Sequence, residues 1–162
     1  MRTISTLFIL VIIFSSCTKE VPESEKKIVK TTNENEVRAL INNYSSYFNS
    51  GDIKASLTVF SEDYSEYIPD TDNPVDLTVL ENNLLNFRSQ NPEGKLSITI
   101  EEVFVADELA AAQTFTSYLI PDPVEGKMNP VYSERSMKLL RKTKTTGWKI
   151  FRSLSSTAFS YD

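Results

Sequence analysis

No histidine occurs anywhere in the 162 residues, and only one cysteine does. Nucleophile systems that depend on a histidine base are therefore excluded, as are Cys-rich zinc sites and disulfides within the chain. Proton chemistry is left to carboxylates and phenols. Tyr44 is a candidate donor to a developing oxyanion. Glu66 and Glu134 are candidate general bases, provided that an apolar pocket raises their pKa. Each has a plainer reading. Tyr44 falls on the apolar stripe of a predicted helix, where a buried tyrosine hydroxyl commonly finds a partner, and strand glutamates are usually solvated. Asp70, Asp72, Asn73 and Asp76 imitate a calcium loop, but Pro74 and Val75 occupy the fifth and sixth positions, where an acid or amide and a glycine are needed. A polar turn leading into a helix cap explains them, and no metal or cofactor is expected.

The elements that must position these groups start after an N-terminal segment of another kind. Met1-Arg2-Thr3 precedes an apolar run from Leu7 to Phe14, followed by Ser15-Ser16-Cys17. The run is too short to span a bilayer core of ~30 Å and has the layout of a secretory signal. Phe14-Ser15-Ser16-Cys17 resembles a bacterial lipobox, with Phe14 in place of the more usual leucine. The resemblance implies cleavage before Cys17 and acylation of its thiol, which also accounts for the single cysteine of an exported chain. Residues 1–16 are thus expected to be a signal peptide and 17–32 a lipidated cysteine with a polar, flexible tether. The anticipated location is the bacterial cell envelope, at the outer membrane.

From residue 33 to 162 the chain reads as one domain. Val37, Leu40, Ile41, Tyr44, Tyr47 and Phe48 share one helical face, with Asn33 and Glu36 as a capping pair and Gly51 as the stop. Asp52 caps a short second helix carrying Ile53, Leu57 and Phe60. Tyr64 to Ile68 reads as a strand. Leu77, Leu80, Leu84 and Phe87 mark a third helix with a Thr78/Glu81 capping pair. After Gly94 only strands are predicted: Leu96 to Val105 with a phase slip at Glu101-Glu102, which is the mark of a bulge, then Leu109 to Ile120, Val131 to Lys142 and Trp148 to Ala158. Asp107-Glu108 and Thr143 to Gly147 are the turns. Helices followed by a long bent sheet predict an α+β domain.

The helix ending Tyr44-Ser45-Ser46-Tyr47-Phe48-Asn49-Ser50-Gly51-Asp52, the Phe60-Ser61-Glu62-Asp63 step and the late Gly147-Trp148-Lys149-Ile150 resemble the NTF2-like superfamily, in its SnoaL-like and ketosteroid-isomerase-like branch. The resemblance covers Asn33 to about Thr157. It implies a cystatin-like cone, with three N-terminal helices on a strongly curved antiparallel sheet, a pocket at the open end and dimerisation through the sheet. It places Tyr44 at the oxyanion-donor position of the isomerases and Ile68 at the position of their catalytic base. Tyr44, Phe48, Tyr64, Ile68, Phe115, Tyr118 and Tyr132 are then expected to line a pocket for a small apolar or amphipathic molecule. A non-catalytic, membrane-tethered binding domain or dimeric interaction module is the first expectation. A small-molecule isomerase, dehydratase or hydrolase using Tyr44 with Glu66 or Glu134 is the alternative. The 40% hydrophobic and 24% charged content suits a globular domain. A net charge of -5 argues against a nucleic-acid partner, and Arg141-Lys142-Thr143-Lys144 reads as a decorated hairpin.

Overall fold

The computed structural model describes residues 23–69 and 71–160. The expected signal peptide, Cys17 and residues 18–22 of the tether lie outside them, as does Asp70. Helix α1 runs over Glu23–Ser50, so it starts within the expected tether and not at Asn33. Past Pro22 nothing in the sequence breaks a helix, and Glu23 and Glu25 suit the positive end of its dipole. Asn33 and Glu36 are then free for another use. Both accept hydrogen bonds from Lys142 Nζ, at 2.9 and 2.6 Å, and Glu36 also accepts from Trp148 Nε1 at 3.0 Å. Part of the basic run therefore ties the helix to the sheet.

Helix α2 (Ile53–Leu57) is capped by Asp52, whose carboxylate accepts from the Ala55 amide, and Gly51 turns the chain with a φ of 89°. Phe60 belongs to strand β1 (Phe60–Tyr67) and not to this helix. A two-residue strand, β2 (Val75–Asp76), pairs with β1 before helix α3 (Leu77–Gln90). The cap of α3 is Asp76, which accepts from the Val79 amide at 2.8 Å, and not Thr78. Asp76 has an extended backbone and stands immediately before the first helical residue, as a cap must. Strands β3 (Lys95–Ala106), β4 (Leu109–Pro121), β5 (Met128–Thr143) and β6 (Gly147–Ser160) complete the domain.

The sheet order is β2-β1-β6-β5-β4-β3. All pairs are antiparallel except β1 with β6, which departs from the expected all-antiparallel sheet. Between those two strands lie α3 and the whole β3 to β5 meander, a connection long enough to return the chain in the same direction. The predicted bulge is present, with the β3–β4 register shifting between Ile100 and Glu102. Further shifts at Tyr118/Leu119, Ser133/Glu134 and Leu139/Leu140 add to the bending.

The inner face of the sheet changes character along its length. At one end Ala110, Ala112, Leu140 and Ile150 are buried, and α1 packs over β3 and β6. At the other end the inward positions are Thr114, Thr116, Glu134, Lys138 and Ser155. One corner holds the helices over this surface. Asn49 imitates a neighbouring strand by donating to the Leu96 carbonyl at 2.9 Å and accepting from the Leu96 amide at 2.8 Å. Arg88 lies over the Phe48 ring at 4.5 Å and donates to the carbonyls of Phe48, Pro92 and Gly94, joining the ends of α1 and α3 to the start of β3.

Gly94 is required at this corner because a Cβ there would meet Phe87 Cε1 at 2.7 Å and the Asn91 carbonyl at 3.0 Å. The Phe87 ring is held by Tyr118, at 5.1 Å between centroids. Gly94→Ala is therefore expected to lower unfolding stability by about 1–3 kcal/mol in urea titration. An unchanged midpoint would mean that the ring moves aside freely.

Candidate functional site

Strand alternation decides which side chains enter the cone. On β1, Tyr64, Glu66 and the following Ile68 share a parity. On β5, Tyr132, Glu134, Ser136 and Lys138 do, and on β4 they face Tyr118, Thr116, Thr114 and Ala112 in register. These sets meet under α1 and α3. They form a cavity of about 260 Å³ whose apolar wall includes Ile68, Val75, Leu80, Phe87 and Val131, with Asn83, Glu66, Glu134, Tyr118 and Tyr132 completing the lining. It continues past Glu66, Leu80, Tyr118 and Glu134 into a closed end of about 30 Å³, where Tyr44, Tyr64, Thr116 and Lys138 join them.

The two glutamates thus point inward, which corrects the expectation of solvated strand side chains. Glu66 is 7% exposed. It accepts from Ser155 Oγ at 2.5 Å and from the Tyr64 hydroxyl at 3.4 Å, and Tyr64 also donates to Ser153 at 3.2 Å. Glu134 accepts from the Tyr132 hydroxyl at 3.2 Å. Loss of water pushes the Glu134 carboxyl above the ordinary carboxylate value. The Lys138 charge opposes this and the neighbouring Glu66 charge adds to it. Lys138, only 3% exposed, was not singled out by sequence reasoning. Nor was Thr116, whose Oγ1 is buried without a hydrogen-bond partner among the described residues.

Tyr44 satisfies both of its readings, as a core side chain that also reaches the cavity. It is 4% exposed and meets Phe60 edge to face at 5.1 Å. Its hydroxyl is hydrogen-bonded to that of Tyr118, and burial drives the pKa of both phenols far above the usual tyrosine value. Tyr64, Ile68, Tyr118 and Tyr132 also line the cavity. Two expected lining residues do not. Phe48 is fully buried behind it, against Phe87 and Tyr118. Phe115 has the opposite parity to Thr116 and lies on the outer face of the sheet, where the Arg135 guanidinium sits 5.7 Å from its ring centre.

A larger open groove of about 680 Å³ lies beside α2 and the β5–β6 turn, and two of its cations are engaged. Arg141 bonds Asp63 and Lys149 bonds the Thr58 carbonyl. No group of acids, cysteines or histidines suited to a metal occurs among the described residues. What the cone can do chemically is hold a proton on Glu134, accept hydrogen bonds at Glu66, and keep both away from bulk water.

The raised Glu134 pKa has a definite sign in stability. The folded chain keeps a proton that the unfolded chain loses near 4.5, so stability falls as the pH rises from 4.5 through the folded-state value. Lys138 limits that loss. Lys138→Met is expected to cost about 3 kcal/mol at neutral pH by leaving buried acids uncompensated, and less as the pH approaches 4.5. Thermal unfolding across that range checks this, and a pH-independent cost would contradict it.

No family model matches the chain, and no curated protein does. Solved structures do. An NTF2-like protein with a cystatin-like fold from Novosphingobium aromaticivorans superposes with a TM-score of 0.70 at 15% identity, covering 89% of this chain and 94% of that one. A domain of unknown function with a cystatin-like fold from Nostoc punctiforme gives 0.64 at 16% identity, covering 80% of each. A ketosteroid isomerase-like protein from Erwinia carotovora atroseptica gives 0.55 at 22%, covering 75% and 93%. At these identities the likeness is one of architecture, and it agrees with the curved sheet, the helix order and the inward cavity described above: the chain has the NTF2-like, cystatin-like fold.

Proposed function

We propose that the domain binds a small amphipathic molecule in its cone, while a lipid on Cys17 holds the chain to the bacterial cell envelope. The observation that carries the binding reading is the cavity's division into an apolar wall at Ile68, Val75, Phe87 and Val131 and a polar end at Glu66, Glu134 and Lys138. Small-molecule sites combine apolar walls with a few convergent polar groups in this manner. The tether rests on the layout around Cys17 alone.

A second reading, turnover of the bound molecule, is favoured by one observation. Glu66 and Glu134 face the same hollow, and burial pushes Glu134 above the ordinary carboxylate value. A buried carboxyl whose hold on its proton is strengthened is what general acid–base catalysis uses. Ile68 does line the cavity, as its place in the isomerase resemblance implies, and it cannot carry a proton. An isomerase, dehydratase or hydrolase would therefore work through Glu66 or Glu134, with Tyr44 as hydrogen-bond donor. Self-association through the outer face of the sheet is supported by Phe104, Leu109 and Leu154, each more than half exposed.

Native mass spectrometry of the whole chain extracted from its host in detergent reads these proposals together. The expected spectrum is a chain beginning at an acylated Cys17, in dimers, with a small non-covalent adduct released by collisional activation. Adducts differing by one water would favour a dehydratase or hydrolase. An unmodified Cys17 would remove the tether, and a bare chain without any adduct would count against the ligand.

A further inference from the structure

We infer that the closed end of the cone is built to receive a single hydroxyl group, so that the bound molecule is an alcohol or phenol and not a ketone, a carboxylate or an ammonium. The inference rests on the binding reading above and specifies the class of ligand.

Size sets the first limit. The closed end offers about 30 Å³ to a water-sized group, enough for a small polar group at the tip of a larger molecule.

Hydrogen-bond balance sets the second limit. Thr116 is 2% exposed and its Oγ1 has no partner, although it borders this space directly across from Glu134 in the β4–β5 register. A buried hydroxyl without a partner is costly, so an acceptor arriving beside it would be stabilised. The same space needs a donor as well. Glu66 receives Ser155 and Tyr64, and Glu134 receives Tyr132, whereas a carboxylate has about four acceptor positions. A group that accepts from the Thr116 hydroxyl and donates to a glutamate oxygen would serve both needs at once. A hydroxyl does both. A ketone oxygen only accepts and an ammonium only donates.

Charge sets the third limit. The closed end already holds the buried Glu66 and Lys138 and the partly buried Glu134. A ligand carboxylate would stand against two acids, and an ammonium would stand against Lys138. The first would add a third desolvated negative charge, and the second would put two desolvated cations in one closed space.

Isothermal titration of the full-length chain with five compounds on one bicyclic skeleton tests this: 1-indanol, indane, 1-indanone, 1-aminoindane and indane-1-carboxylate. The expected result is that 1-indanol binds about tenfold more tightly than the other four. In Thr116→Val that advantage should disappear while indane affinity stays within about twofold, and Thr116→Ser should retain it. Valine replaces an unpartnered hydroxyl with a methyl of similar size, so the fold is expected to survive the substitution. Indane or 1-indanone binding as tightly as 1-indanol, or a Thr116→Val chain that still prefers the alcohol, would overturn the inference while leaving the binding site standing. If none of the five binds the unaltered chain, the ligand-binding reading falls, and the inference falls with it.

Discussion

The two-residue period of a β-strand governs what lies inside this molecule. Once β5 is registered on β4, placing Leu140 against Ala110 in the apolar end commits Lys138, Ser136 and Glu134 to the same face. Nothing about the preference of a glutamate or lysine for water can reverse that choice, because a slip of one residue would expose Leu140 and bury Arg135 and Arg141. The core residues at one end of the sheet thus force charged residues into the other.

The cost of that arrangement is met locally. Glu66 is supplied with hydroxyl donors from Ser155 on the adjacent strand and Tyr64 on its own. Glu134 has Tyr132 and the Lys138 charge. Thr114 and Ser136 satisfy each other across strands at 2.9 Å. Short hydroxyl side chains fill the spaces between the charges, and most of them find a partner there. Thr116 is the exception. Groups held this way confer little net stability, and their arrangement at one end of an apolar hollow is better explained by what they can bind.

Much of the architecture was legible in the sequence. The 3.6-residue stripes of α1 and α3, the left-handed Gly51, the bulge at Glu101 and the two-residue turn at Asp107 are local signals with local causes. The start of α1 was not legible, because Glu23 to Thr32 has neither an apolar stripe nor a breaker, and polarity suggested a tether. The cap of α3 was misplaced because Asp76 and Thr78 are both competent, and only the pairing of β2 with β1 decides between them. In the site, Tyr118 and Phe115 could not both face the cone, since they lie three residues apart on one strand without a bulge between them. Aromatic character outweighed parity there. The same bias hid Lys138, which shares the parity of Leu140 but carries a charge. Counting parity from the most apolar pair of the hairpin would have found it.

A cone that binds as proposed must hold its polar end away from water. That claim is tested most directly by following the Glu134 side-chain carboxyl by ¹³C NMR through a pH titration, with the Glu134→Gln chain to assign the resonance. A midpoint above the ordinary 4.5 is predicted, since desolvation outweighs the Lys138 charge. A midpoint at or below 4.5 would mean that the carboxyl is hydrated or fully paired, and would contradict the enclosed cone on which the proposed binding rests.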